Sequence, residues 1–232
     1  MSPSSPDAAP AAPLRQLLHD ALEDAHFVGH VEAADDGSAL KATLYSHRAP
    51  FTESLEANDW LSKAGIFATA TLNEGRYVVI TLPTAASVNQ LITSLLTPWI
   101  TAHTVAKQLV DLLETHGVIS DVTVGTSSVE LCLSDHELGS VVRLAGMLGA
   151  PGIDNGLDLL RKRGMRRLTE RIQWLITGVV GSAARAVTEP GCAHQQNSLT
   201  LHLTIDQARR LVGRLETSPL PSQDRSPATG AA

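Results

Sequence analysis

The sequence is poor in cysteine and in aromatic residues, and each shortage limits what the protein can be. Two cysteines in 232 residues cannot form the disulfide framework of a small secreted domain. Aromatic residues make up 3% of the chain, so the core must come from Leu, Val, Ile and Ala, and we expect the few aromatic side chains to be packing anchors. The length and the 43% of hydrophobic residues suffice for one large or two ordinary globular domains.

Motifs of enzymes and metal proteins are missing as well. The chain contains no phosphate-binding glycine loop, no nucleophile elbow and no HExxH spacing. Cys192 and His194 have the spacing of half a zinc site, but no second pair matches them, so we interpret them as part of a polar loop. Cys132 lies in a predicted strand as a small packed residue. We therefore predict no enzymatic activity, no catalytic residue, no cofactor and no metal ion.

Two groups of titratable residues have simpler explanations than catalysis. His26 and His30 flank the first predicted strand, and nothing in the sequence fixes their geometry relative to the acidic residues nearby, which are Asp20, Glu23 and Asp24. Residues 135–137, Asp-His-Glu, precede a predicted helix. Acidic side chains favour the positive end of a helix dipole, so we expect the second group to cap that helix.

No segment predicts a membrane span or a secretory leader. Residues 77–106 contain no Asp, Glu, Lys or Arg, but Pro, Asn, Gln and His interrupt the stretch, so we interpret it as a buried strand followed by a helix. The first residues, MSPSSPDAAPAAP, lack the basic and apolar regions of a signal peptide. We therefore expect a cytoplasmic protein that does not bind membranes.

Charge is divided unevenly along the chain. Residues 1–150 carry 7 basic and 17 acidic side chains, a net charge of −10, whereas residues 151–232 carry 11 basic and 7 acidic ones, a net charge of +4. Most of the positive excess lies in one short segment, which contains Arg161, Lys162, Arg163, Arg166, Arg167 and Arg171. We take these six residues as the candidate site for binding a partner.

This basic segment is predicted to lie on one helix, over residues 157–176. Its apolar residues recur at helical spacing and line one face of the helix: Leu157, Leu160, Gly164, Leu168, Ile172 and Leu175. The opposite face then carries most of the charged residues, which are Lys162, Arg163, Arg166, Arg167 and Glu170. Such a face can neutralise nucleic-acid phosphates, contact an acidic protein surface, or simply be solvated, and the sequence leaves these three alternatives open.

A local pattern recurs about four times: an amphipathic helix, two short strands joined by a turn, and usually a second helix. It predicts an α+β fold of repeated helix-hairpin-helix units, in which hairpins form one or two antiparallel sheets covered by helices. True internal duplication and chance alternation explain the repetition equally well. We predict disordered tails at residues 1–13 and 217–232, an N-terminal α+β lobe over 14–98 and a C-terminal α+β lobe over 99–216.

Turn and cap residues mark the ends of the predicted elements. Glycine-ended turns at 35–37 and 73–75 predict two hairpins in the first half. Ser134 with Glu137, and Thr204 with Gln207, have the spacing of capping boxes before two helices. Strands of the second half are predicted at 118–124, 129–133, near 183–188 and over 199–205.

The first half resembles the YbjN and type III secretion chaperone-like fold in its order of helix, two strands, helix, hairpin and helix. The resemblance covers roughly residues 14–113 and rests on the segments 14–22, 58–60 (Asn-Asp-Trp), 68–72 and 75–80. The family has a further strand before its middle helix, for which residues 47–52 are available. The resemblance implies a non-enzymatic protein-binding module, often a homodimer, with no catalytic residues.

These observations favour a non-enzymatic protein-binding or adaptor protein of chaperone-like type, whose partner is another protein or a second copy of the chain. The alternative is a regulatory protein associated with nucleic acid, which uses the basic helix 157–176. We favour the first interpretation because the chain is acidic, with a net charge of −6, and its eight aromatic residues are scattered. Such scattering provides no platform on which bases can stack.

Overall fold

A computed structural model describes residues 11–34, 37–45, 47–73, 75–135, 137–191 and 196–218. The chain divides into two compact units, Met1–His103 and Thr104–Ala232. Each unit contains helices and one four-stranded antiparallel sheet, so the fold class is α+β. The division falls inside a helix, a few residues after the boundary that the sequence indicates between residues 98 and 99.

The first unit alternates helices with pairs of strands. Its elements are α1 Ala11–Asp24, β1 Gly29–Ala33, β2 Leu40–Leu44, α2 Ser54–Lys63, β3 Thr69–Asn73, β4 Tyr77–Leu82 and α3 Ala85–Leu91. A π-helical turn, Ile92–Leu96, leads into α4, Thr97–Thr115, which continues into the second unit. Residues 47–52, the candidate for a further strand, form turns, bends and irregular backbone.

The second unit continues from α4 with a similar alternation. Its elements are β5 Asp121–Val124, β6 Ser128–Asp135, α5 Gly139–Met147, α6 Lys162–Val180, β7 Arg185–Glu189, β8 Asn197–Thr204 and α7 Ile205–Glu216. The strand expected near 183–188 is therefore β7, and the alternation over 199–205 is that of β8. The turn residues Asp35, Asp36 and Glu74 lie outside the described ranges.

The two sheets have the same strand order. It is β1-β2-β4-β3 in the first unit and β5-β6-β8-β7 in the second. Alternate residues of a strand point to opposite faces, and in β8 the buried ones are Leu199, Leu201 and Leu203. Side chains on the other face of this strand are half-buried or exposed. Helices thus cover one face of the sheet, as the sequence pattern indicates.

Helix α6 begins later than the predicted helix 157–176. Residues 157–161 form irregular backbone, a turn and a bend, and Leu160, expected on the buried face, is 75% exposed. A Cβ on Gly164 would lie 1.9 Å from the carbonyl oxygen of Asp158, so the preceding chain crosses the first turn of α6 at a distance that only glycine permits. The buried face of α6 instead comprises Gly164, Met165, Leu168, Ile172, Ile176 and Val180.

One of the two capping boxes that the spacing indicates is formed. The Thr204 side chain accepts the N–H of Gln207 at 3.2 Å, and the N–H of Thr204 donates to Gln207 Oε1 at 2.9 Å, which starts α7. Ser134 and Glu137 form no such box. Ser134 belongs to β6, and α5 starts only at Gly139, so the predicted box is wrong.

Asp135 caps α5 in place of that box. Its carboxylate accepts the N–H of Gly139 at 2.7 Å and the N–H of Ser140 at 2.6 Å. Burial raises the pKa of Asp135, but hydrogen bonds from Ser140, Gly139 and Glu137 outweigh burial and hold the pKa below its ordinary value of 3.8. The cap therefore stabilises the fold at neutral pH, and this stability is lost as the pH falls through the lowered pKa. His136 lies outside the described residues.

Polar side chains form hydrogen bonds with the outer backbone of β3 and of β7, each of which is an edge strand of its sheet. In the first unit, Asn58 of α2 donates through Nδ2 to the carbonyl oxygen of Ala70 in β3, and the N–H of Ala70 donates to Asn58 Oδ1, both at 2.8 Å. In the second unit, the N–H of Ala186 in β7 donates to Oε1 of Gln173 in α6 at 3.3 Å. These bonds satisfy backbone groups that an edge strand would otherwise present to another chain.

Helix α6 runs antiparallel along the outer edge of β7. Besides the bond from Gln173, Thr177 Oγ1 accepts the N–H of Ala184 at 3.2 Å, and the hydroxyl groups of Thr169 and Thr188 contact each other. The three side chains of α6 are four residues apart, a rise of about 6 Å. Two residues of a strand span about 6.7 Å, so the helix and the strand stay in register over two helical turns.

The structure describes the inner end of each predicted tail. Helix α1 starts at Ala11, so residues 11–13 are helical, because Pro13 is tolerated in a first turn, where its missing N–H has no helical partner. At the other end, Ser218 Oγ donates to the carbonyl oxygen of Met147 at 2.8 Å. The rest of both predicted tails lies outside the described residues.

The uncharged stretch 77–106 forms β4, α3, the π-helical turn and the start of α4. It is therefore a strand followed by helices, as expected. None of the helices in the described part of the chain is both long enough and apolar enough to cross a membrane.

Gly164→Ala is expected to destabilise the second unit, because the new methyl group would meet the backbone of Asp158. Overpacking of this kind costs about 1–3 kcal/mol or more. Gly178→Ala is the matched control: a Cβ at Gly178, in the same helix, meets nothing within 4 Å, so a gain of about 0.5–1 kcal/mol is expected. Urea unfolding measures both variants. Equal effects would contradict the close crossing at Gly164.

Candidate functional site

The basic residues of the candidate site lie around the start of α6, and two of them form ion pairs within the chain. Arg161, just before the helix, places Nε 2.9 Å from Asp158 Oδ2. Arg166 places Nε 3.7 Å from Glu170 Oε1. All four side chains are more than half exposed, so each pair contributes little to stability.

Arg171 is engaged with the backbone of its own chain. Its Nη1 donates to the carbonyl oxygen of Ile153 at 2.5 Å and to that of Asn155 at 3.2 Å. These bonds hold the loop between α5 and α6 against the helix. Of the six candidate residues, Arg171 therefore has a clear structural role.

Lys162, Arg163 and Arg167 are exposed and form no ion pair with any residue that the structure describes. The first turn of α6 contains no acidic residue. The N-terminus of a helix carries partial positive charge, so a cation there costs about 0.3–1 kcal/mol. The start of α6 is therefore an electropositive surface that suits a negatively charged partner.

Trp174 lies on the exposed side of α6, so it is not the packing anchor that the sequence predicts for the aromatic residues. Its side chain is 78% exposed, whereas that of Trp99 is 7% exposed. The exposure of Trp174 can be predicted from its helical position. Trp174 is two residues from both Ile172 and Ile176, which face the core, so it lies about 200° around the helix from them. Exposed tryptophan side chains are typical of interaction sites.

A cleft of about 550 Å³ lies between α6 and β7. The buried part of its lining is apolar and includes Met165 and Ala186, which are 4% and 9% exposed. Lys162, Arg166 and Trp174 line it as well. Lys162 and Trp174 are about 18 Å apart along the helix axis, a length that five or six residues of extended chain span at about 3.3 Å each.

The two histidines that flank the first strand, His26 and His30, have different neighbours. His26 stacks on His103, with ring centroids 4.0 Å apart and 8° between the ring planes. His30 places Nε2 3.8 Å from Glu32 Oε2. His103 Nε2 lies 3.0 Å from Arg48 Nη1, and because a guanidinium only donates, this ring nitrogen accepts. Burial, His26 and Arg48 together lower the pKa of His103, which favours the neutral ring that this contact requires.

Neither cysteine belongs to a metal site in the described part of the chain. Cys192 and His194 lie outside the described residues. Cys132 lies in β6 and is half-buried. Among the residues that the structure covers, no three His, Cys, Asp or Glu side chains are grouped so that they can hold a metal ion.

No family model, no curated protein and no solved structure matches the chain. Function must therefore be inferred from the cleft, the basic residues and Trp174 themselves.

Arg171→Ala is expected to lower the free energy of unfolding by about 1 kcal/mol, because two backbone carbonyls lose a charged donor. Arg167→Ala, four residues earlier on the exposed surface of the same helix, is the control and should change it by less than about 0.5 kcal/mol. Urea unfolding of both variants checks this difference. If Arg171→Ala were as stable as Arg167→Ala, the structural role of Arg171 would be wrong.

Proposed function

We propose that the chain is a cytoplasmic, non-enzymatic adaptor protein that binds an extended acidic segment of a partner protein in the cleft between α6 and β7. The exposure of Trp174 beside this cleft is the observation that carries the proposal. A large aromatic side chain at the margin of an apolar cleft contributes most to the binding free energy when a partner covers it.

The apolar lining supplies the affinity in this proposal. Residues such as Trp174 often contribute about 2 kcal/mol or more where they are fully covered in an interface. Met165 and Ala186 are already packed against the core. The cleft is therefore largely preformed, and binding needs little ordering of the protein.

The basic residues supply the selectivity. Lys162, Arg163 and Arg166 oppose the helix dipole in the free protein, and an acidic segment relieves this unfavourable arrangement. Complementary charge also speeds association and disfavours basic partners. An acidic segment about six residues long, with apolar side chains that reach Trp174, fits both properties of the cleft.

We propose as part of the same function that the two units are chaperone-like modules, although residues 47–52 do not form the further strand of that family. The first unit has the order helix, hairpin, helix, hairpin, helix. The second unit has the same strand order in its sheet. A shared order of strands is what two related modules in one chain would have.

Fluorescence anisotropy with two labelled peptides tests the proposal. One peptide alternates Glu with Leu, and the other alternates Lys with Leu. We expect wild-type protein to bind only the acidic peptide, and Trp174→Ala to weaken this binding about tenfold or more. Leu55→Ala is the control, because Leu55 is an apolar residue of α2 with the same 78% exposure, and it should leave the affinity unchanged.

Two results would contradict the proposed function. Equal binding of the acidic and basic peptides would show that charge at the start of α6 selects nothing. Equal losses in Trp174→Ala and Leu55→Ala would show that binding does not depend on the cleft.

The exposed side of α6 favours a second candidate function, a regulatory protein bound to nucleic acid. Lys162, Arg163 and Arg167 present cationic groups that can neutralise phosphates. Trp174 offers an aromatic face on which one unpaired base can stack.

Binding to duplex DNA at low and high salt distinguishes this candidate. If it holds, wild-type protein binds at low salt, the affinity falls steeply with salt, and a variant in which Arg163, Arg166 and Arg167 are all changed to Ala does not bind. Absence of wild-type binding at low salt would exclude this use of the helix.

A further inference from the structure

The two sheets have four edge strands, β1, β3, β5 and β7, which differ in how readily another strand could pair with them. Side chains of α2 and α6 cap β3 and β7. β5 is only four residues long, and short edge strands are one means by which proteins avoid pairing with other chains. β1, Gly29–Ala33, is a longer edge strand. It is therefore the edge where pairing with another strand is least hindered.

The backbone of β1 directs a row of hydrogen-bonding groups away from its sheet. The N–H of Tyr45 donates to the carbonyl oxygen of Val28 at 2.8 Å, so Val28 and every second residue after it face β2. Gly29, Val31 and Ala33 then face outward. No other residue in the described ranges forms a backbone hydrogen bond with these outward groups.

The side chains of β1 match a second copy of the same strand. If two such strands pair antiparallel with Val31 at the centre, His30 of each faces Glu32 of the other. Both side chains are exposed, 62% for His30 and 54% for Glu32. Opposite charges directly across two strands stabilise the pairing, whereas like charges oppose it. The strand is thus complementary to itself, because the imidazole of His30 can donate a hydrogen bond to the opposite carboxylate and carries the opposite charge when it is protonated.

We propose that β1 pairs with β1 of a second copy of the chain, about a two-fold axis at Val31, so that two four-stranded sheets become one of eight strands. The outward backbone groups then meet in the correct register, Val31 with Val31 and Gly29 with Ala33, and form about six hydrogen bonds. Val28, which is 67% exposed, then lies opposite Ala34 of the second copy.

β1 belongs to the first unit and the cleft between α6 and β7 to the second, so a pair of chains joined at β1 carries two copies of the cleft.

Sedimentation velocity of the full chain over a wide range of concentration tests the pairing. We expect a reversible monomer–dimer equilibrium. His30→Glu places two carboxylates opposite each other at both ends of the pair and should weaken dimerisation about two- to thirty-fold. The double variant His30→Glu, Glu32→Lys replaces this repulsion with opposite charges and should return the dissociation constant to within about threefold of wild type.

Thr71→Glu is the matched control, because Thr71 is an exposed residue of the capped edge strand β3. It adds the same charge to the same sheet and should not change dimerisation. A chain that stays monomeric at every concentration would overturn the proposal. So would a dimer that His30→Glu leaves intact, that the double variant fails to restore, or that Thr71→Glu weakens equally.

Discussion

The hydrogen bonds that join β3 and β7, one edge strand of each sheet, to the helix before them are the interactions on which the rest of this structure depends. Asn58 satisfies both backbone groups of Ala70, and Gln173 and Thr177 accept the N–H groups of Ala186 and Ala184. A buried backbone group without a partner costs about 1–3 kcal/mol, so these bonds fix where each helix lies along its strand. In the second unit they hold α6 beside β7, and the cleft is formed between them.

The same placement accounts for the unusual surface of α6. Its apolar face is fully used by the core, so Trp174 and the basic residues remain on the outside. Cations at the start of a helix reduce its stability, and most ion pairs in this segment are exposed and weak. The stability of the fold does not explain such a surface, and for this reason we propose that it binds a partner.

The sequence predicts the elements of this fold better than their contacts. Alternation over 199–205 predicts β8, because one face of that strand is buried and the other is not. The start of α6 depends on a backbone crossing at Gly164, which no local periodicity shows. Ser134 has the spacing of a capping residue, but it lies within β6, which extends to Asp135. Asp135 therefore caps α5 instead. The exposure of Trp174 follows from its helical position, whereas the cleft beside it requires the long-range pairing of α6 with β7.

Residue-resolved hydrogen exchange, on protein dilute enough to keep β1 unpaired, tests the central claim most directly. The account predicts that the outward amides of Ala70, Ala184 and Ala186 exchange slowly, because helix side chains cap them. The outward amide of Val31, on an uncapped edge, should exchange at least about tenfold faster. Equal rates at the four amides, or a faster rate at Ala186 than at Val31, would contradict the claim that edge capping positions α6.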